Sequence, residues 1–255
     1  MPTILVTNDD GVSSPGIKML SRALKSVGDV YVVAPETEQS AVAHALTLHR
    51  PLRSEKTGKN TYSVNGTPTD CVIIAVNKIL PCKPDMIVSG INNGANLGDD
   101  ITYSGTVAAA IEGTLLGIPS IAVSLVRNDN NSEGYRKRIS LLKTAADFTS
   151  GLAGKVLLKG LPSDTLLNVN VPNISGIKGV KFTKQGKPVY YNAVHETSDP
   201  RGRKYYWICG TAPQWEPDED FDFEAIRNGY ISITPVHLDL TNYEALKHIK
   251  KRWKI

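Results

Sequence analysis

The sequence predicts an α/β fold, a mostly parallel sheet with helices packed on both faces. Two observations carry that prediction. Short apolar runs that read as buried strands alternate with segments of helical periodicity from residue 4 to residue 171, the order expected of parallel strands joined by crossover helices. Carboxylates, hydroxyls and amides also collect just past the predicted strand ends, where open sheets of this class bind their ligands.

Each element follows from local chemistry. Residues 4–6 form a short apolar strand. Ser14 can cap the next helix, and Pro15 takes the first helical position, where its missing N–H costs nothing. Ile17, Leu20, Leu24 and Val27 then fall on one helical face. Residues 30–34 make a second buried strand, stopped by Pro35. Residues 69–80 read as a helix through Val72, Ile73, Val76 and Ile79. A strand over 85–90, a helix over 105–116, a strand over 120–125, a helix from about 133 to 150 and a strand over 165–171 complete the alternation.

The pattern changes near residue 175. Residues 1–175 are expected to form the catalytic α/β core, and 176–255 an extension of hairpins, an arm and a helix for oligomer contacts. Strands are expected over 180–183, 204–209 and 230–234, and a helix over 242–252. The run from Glu216 to Glu224 holds six carboxylates among nine residues and reads as solvated surface.

Composition narrows the class. A chain of 255 residues with 41% hydrophobic and 21% charged residues suits a soluble domain with a substantial core. No apolar run approaches the ~20 residues of a membrane span, and the first apolar residues make a strand rather than a signal peptide. Cys71, Cys82 and Cys209 lack metal-ligand spacing and suit a reducing cytoplasm. The net charge of +4 owes much to the tail from Lys247 to Lys254, too local a patch for a nucleic-acid surface. His44, His49 and His237 read more naturally as exposed or hydrogen-bonded structural residues than as catalysts.

Four clusters carry chemistry. Asp9 and Asp10 stand side by side where the first strand ends; adjacent carboxylates repel each other unless a cation neutralises them, although Asn-Asp-Asp-Gly is also turn chemistry. Ser40 follows the second strand. Residues 89–98 hold three glycines and three asparagines, including Asn92 and Asn96, in a loop able to approach a ligand closely. Ser104, Gly105 and Thr106 open a helix whose free N–H groups and positive dipole end can hold an anion, phosphate above all. Two carboxylates with neutral oxygens and no His or Cys cluster describe a hard-cation site for Mg²⁺ or Mn²⁺. A cation beside a phosphate cradle points to phosphoryl chemistry.

These residues resemble the SurE family, the survival protein E nucleotidases. The match runs through Thr7–Val12, Val33–Pro35 with Ser40, Gly66–Cys71, Val88–Asn92, Asn96–Gly98, Tyr103–Val107, Asp199–Gly202 and Gly229–Pro235. The resemblance implies a Rossmann-like sheet with a C-terminal extension swapped between subunits, giving homodimers or homotetramers. It implies a metal-dependent phosphatase acting on nucleoside 5′- and 3′-monophosphates and in some members on polyphosphate. It places the metal on Asp9, Asp10, Ser40 and Asn92, and the phosphate on Asn96, Ser104, Gly105 and Thr106. Attack by water with Asp9 or Asp10 as base, and attack by an Asp nucleophile, both remain open. The alternative of another class is a non-catalytic nucleotide-binding sensor using the same cradle. A dinucleotide-dependent oxidoreductase would need a glycine-rich turn that Asn8–Gly11 lacks.

Overall fold

The structure, a computed structural model, describes residues 1–127, 134–189, 194–208, 214–215 and 218–253. Cys209 and residues 216–217 of the acidic run lie outside that set.

The chain begins with β1 (Thr3–Thr7), α1 (Pro15–Leu24) and β2 (Asp29–Pro35), in which the two strands pair in parallel. Ser14 accepts from the Ile17 N–H and Pro15 opens α1, as its chemistry dictates. A hairpin follows, β3 (Ser54–Gly58) and β4 (Thr61–Val64), where the sequence shows no strand signal strong enough to predict one. Asn60 makes its turn at φ 55°, a conformation Asn tolerates better than most residues. β4 then pairs in parallel with β2 and buries Val64.

α2 (Pro68–Ile74) starts on a capping box in which Thr67 and Asp70 satisfy each other's backbone N–H groups. The helix predicted over 69–80 is shorter than expected, because Ala75–Ile79 continues it as a wider π-type turn. β5 (Met86–Asn93), a 3₁₀ turn (Gly98–Thr102), α3 (Gly105–Leu115) and β6 (Ser120–Leu125) come next. α4 (Tyr135–Lys159) runs past its expected end at 150. Its buried face continues through Ala153 and Val156, so packing carries it across Gly151 and Gly154 until Gly160 turns the chain at φ 72°. β7 (Thr165–Val171) closes the alternation.

The last third comprises β8 (Val180–Phe182), β9 (Pro188–Val189), β10 (Val194–Ser198), β11 (Lys204–Ile208), β12 (Gln214–Trp215), α5 (Asp222–Arg227), β13 (Ile231–His237) and α6 (Tyr243–Arg252). Part of it extends the main sheet: β13 pairs antiparallel with β7, and β8 parallel with β13. The nine strands stand in the order β3-β4-β2-β1-β5-β6-β7-β13-β8. β10 and β11 form a separate hairpin with every residue exposed, and α6 has no buried residue.

Alternating side chains on the central strands feed a core on each face. Ile4, Val6, Met86, Val88, Ile121 and Val123 pack with Ile17, Leu20 and Leu24 of α1 and Leu141 and Leu142 of α4. Leu5, Val33 and Ile87 point the other way, onto Cys71 and Val72 of α2 and Ala109 of α3. The predicted architecture, a mostly parallel sheet covered on both faces, is the one observed.

Candidate active site

β1 is the pivot of the sheet, since the first crossover carries the chain to β2 on one side while β5 pairs on the other. Strand order reverses there, and such a point opens a crevice at the carboxyl ends of the strands. Asp9 and Asp10 leave β1 into that crevice, Ser40 follows β2, Asn92 ends β5, and Asn96 and α3 come from the connection after β5. Asp9, Asp10, Ser40, Asn92, Asn96 and Ser104 line one cleft of about 440 Å³, together with Glu38, Tyr103 and Arg127. Residues spread over almost a hundred positions of sequence are thus one site. Another cleft, about 260 Å³ between the end of α3 and the start of β7, contains none of the predicted residues.

Asp9 is nearly buried, at 5% exposure. Its two carboxylate oxygens accept from Thr106, one from the hydroxyl and one from the N–H at 3.1 Å. Gly105 permits that approach: a Cβ there would sit 2.9 Å from Asp9 Cβ. Thr106 and Gly105 therefore stand behind Asp9, and the fully buried Thr106 side chain does not reach the cleft wall. Asp10 is more open and accepts one long bond, 3.3 Å from the Asn93 N–H.

Burial pushes the Asp9 carboxyl above its ordinary range, against the lowering effect of Thr106. Burial first, and the Asp9 charge second, push Asp10 up to about 6. Both carboxylates are thus held where ionisation is unfavourable without a counter-charge, which is what a cation supplies.

Two neutral oxygen donors line the same cleft. Ser40 is exposed and donates to Glu38 Oε1 at 2.6 Å, so its oxygen lone pairs remain as donors to a metal. Asn92 donates its amide to Gly94 O at 3.0 Å, leaving the side-chain carbonyl oxygen. Among the described residues no group of three or more His, Cys, Asp or Glu side chains is arranged to hold a metal. The donor set is instead two carboxylates with a hydroxyl and an amide oxygen, all hard ligands that fit Mg²⁺ or Mn²⁺ and suit softer metals poorly.

The start of α3 brings Ser104 to the cleft. Ser104 caps that helix by accepting from the Val107 N–H at 3.1 Å, and its own O–H stays available to donate. Asn96 is 6% exposed and gives one amide hydrogen to Ser124 at 2.8 Å. Its backbone is fixed more firmly: Asn168 and Asn170 donate to its carbonyl at 2.9 and 2.8 Å, and Asn170 accepts from its N–H at 2.9 Å.

Sequence reasoning missed this cradle. Its trace was two asparagines alternating with apolar residues in a strand that is buried along its whole length, Leu167-Asn-Val-Asn-Val171. It also missed Asp222. Expected to be solvated with the rest of the acidic run, Asp222 is instead fully buried and accepts from the N–H groups of Gly98 (2.8 Å), Gly186 (3.0 Å) and Phe223 (2.8 Å). It ties the loop after Asn96 to the C-terminal segment.

Comparisons with known proteins agree along the chain. The family model described as Survival protein SurE matches residues 4–192. A relative from Geotalea daltonii, named 5′-nucleotidase SurE, is 51% identical over 254 residues, covering 99% of both chains. One of the same name from Geobacter sulfurreducens is 53% identical over 99% of this chain and 94% of its own. A solved structure, the Sure protein from Aquifex aeolicus, superimposes with a TM-score of 0.85 at 48% identity, covering 98% of this chain and 99% of the other.

Proposed function

The chain belongs to the SurE family, and from that premise we propose that it is a divalent-cation-dependent phosphatase that hydrolyses nucleoside 5′-monophosphates. Activity on 3′-monophosphates and short polyphosphate belongs to the same reading, since the cation held by the carboxylates and the hydroxyl and amide donors beside α3 would address the phosphate rather than the rest of the substrate. The observation that carries the proposal is the meeting, in one cleft, of an adjacent carboxylate pair, Asp9 buried and Asp10 half-buried, with the capped N-terminus of α3.

Asp9, Asp10, Ser40 and Asn92 would hold one cation, Mg²⁺ or Mn²⁺. When bound, it neutralises phosphate oxygens and acidifies a coordinated water. Thr106 and Gly105 keep Asp9 in place for that role, so Thr106 serves the phosphate through the carboxylate it orients. Ser104 Oγ, the second amide hydrogen of Asn96 and the Gly105 N–H would hold the phosphate for in-line attack, since the next N–H groups of α3 are given to Asp9 and Ser104. Asp10, with only one long hydrogen bond of its own, has the free lone pair to take the proton of the attacking water.

Residues 1–175 carry these ligands; within the extension from 176 to 255, β8, α5 and β13 join the core, and the exposed segments are assigned to subunit contacts. The β10–β11 hairpin exposes Val194, Tyr206, Trp207 and Ile208, an apolar surface of the kind that marks association, and we assign it to exchange between subunits of a homodimer or homotetramer. No described helix is long and apolar enough to cross a membrane. The free Cys71 and Cys82 suit a cytoplasmic protein.

Phosphate release from a nucleoside monophosphate panel, with EDTA and with Mg²⁺ or Mn²⁺ restored, tests the proposal. Release that EDTA abolishes and either ion restores supports it. Tight nucleotide binding with no release under any metal would make the protein a sensor.

A further inference from the structure

Among the described residues that line the cleft, one is aromatic, and phosphate hydrolysis does not need it. Tyr103 lines the wall beside Ser104 and Arg127, and 66% of it is exposed. It belongs to none of the hydrophobic clusters of the core. Core packing therefore does not account for it.

Its backbone is nevertheless held at both ends. The Tyr103 N–H donates to Asp100 O at 3.0 Å, and its carbonyl accepts from the Ala43 N–H at 3.1 Å. The next residue, Ser104, is the cap of α3. The side chain is thus carried on a fixed mount one residue from the proposed phosphate seat, and most of it is exposed to solvent.

We propose that Tyr103 forms a nucleobase subsite, its ring stacking on the base of a nucleoside monophosphate whose phosphate lies at the start of α3. This rests on the phosphatase reading above. A nucleotide presents a phosphate, a sugar and a flat π-face in that order, and the cleft presents a phosphate seat followed by an aromatic plane. Tyrosine suits a half-wet position, since the ring covers an apolar face while the hydroxyl stays in water. Four carboxylates in the same wall, Asp9, Asp10, Glu38 and Asp100, disfavour an anionic ligand lacking its cation, so an uncharged contact with the base adds affinity that electrostatics at the rim does not. Stacking does not read hydrogen-bonding edges, because every base has a π-face. The subsite therefore selects nucleotides over simple sugar phosphates and discriminates weakly among bases.

The test compares dissociation constants by calorimetry and kcat/KM for adenosine, cytidine, guanosine and uridine 5′-monophosphates and for ribose 5-phosphate. It uses Mg²⁺-loaded full-length protein, wild type, Tyr103→Ala and Tyr103→Phe. Loss of one base stack predicts that Tyr103→Ala weakens all four nucleotides about 5- to 100-fold, mainly in KM, while ribose 5-phosphate loses far less and Tyr103→Phe retains the preference. Equal losses for ribose 5-phosphate and nucleotides, or unchanged nucleotides, overturn the subsite. The binding arm keeps the two readings apart: nucleotide affinity that depends on Tyr103 in a protein releasing no phosphate would retain the subsite and end the phosphatase reading.

Discussion

Asp9 and Asp10 illustrate how one pair of side chains sets both chemistry and stability. In the metal-free protein the Asp10 carboxyl is raised to about 6 from an ordinary 3.8, by burial and then by Asp9. Between those values the folded chain binds more protons than the unfolded one, so stability is highest at acid pH and falls as pH rises through that window. The shift corresponds to about 3 kcal/mol before solvent screening and on the order of 1–2 kcal/mol after it. We therefore expect the melting temperature of metal-free protein to fall between pH 4.5 and pH 7. Asp10→Asn should reduce that fall, leaving the part that the buried Asp9 contributes, and stabilise the metal-free protein at pH 8, which thermal denaturation across pH reads directly. Asp9→Asn should lower turnover at least about a hundredfold while circular dichroism stays native, the scale of losing one electrostatic partner of a transition state. Substantial residual activity would remove Asp9 from the metal site. Thr106→Val deletes the hydroxyl that orients Asp9, and outer partners of metal ligands are typically worth about 10- to 100-fold in metal affinity. Calorimetric titration with Mn²⁺ gives that number without relying on activity.

Elements rather than single side chains decide how close the groups come. α3 can press its first turn against β1 only because Gly105 has no Cβ to meet Asp9. Gly105→Ala should push the helix start away, costing about 1–3 kcal/mol of stability as overpacking does, together with cation affinity; unchanged Mn²⁺ binding would show that the contact is slack. The loop bearing Ser40 is tied down by contacts on three sides. Gln39 N–H donates to Asp9 O, Ala43 N–H to Tyr103 O, and His44 pairs with Glu112 of α3 at 2.9 Å. On the opposite flank Asp222 binds Gly98 and Gly186 from its place at the start of α5. Asp222→Ala leaves buried N–H groups without an acceptor, so it should cost about 2–4 kcal/mol in urea denaturation. It should also raise KM more than it lowers kcat, because the loop it ties follows Asn96. Asp222→Asn, with one carbonyl oxygen left, should fall between.

For the molecule as a whole, the sheet and its two helical layers bury the apolar side chains, whereas the β10–β11 hairpin and α6 stand outside them. A monomer would leave Trp207 and Ile208 in water at 64% and 92% exposure. Sedimentation of the full chain should give an oligomer, and deletion of residues 194–208 a smaller species with the cleft intact. An unchanged sedimentation coefficient for the deletion would place subunit contacts elsewhere.

Local signals were enough to place much of this. Ser14 with Pro15, and Ser104 before an alanine-rich stretch, are helix starts whatever surrounds them, because a cap satisfies N–H groups only a few residues away. The short apolar runs of β1 and β2, residues 4–6 and 30–34, require cover on both faces, which is enough to imply the layered α/β architecture. The paired carboxylates and the phosphate-type helix start were likewise visible as residue types at strand ends. Features resting on distant partners were not visible. Asp222 reads as solvated because five other carboxylates surround it in the sequence, and only the fold brings Gly98 and Gly186 to it. The asparagine cradle around Asn96 joins positions 72 and 74 residues apart. α4 outlasts its local helix-weakening glycines because Ala153 and Val156 meet the core. Hydrogen-bond chemistry within one helical turn is written in neighbouring residues, whereas the burial that makes a carboxylate structural or raises its pKa depends on side chains the chain supplies a hundred positions away.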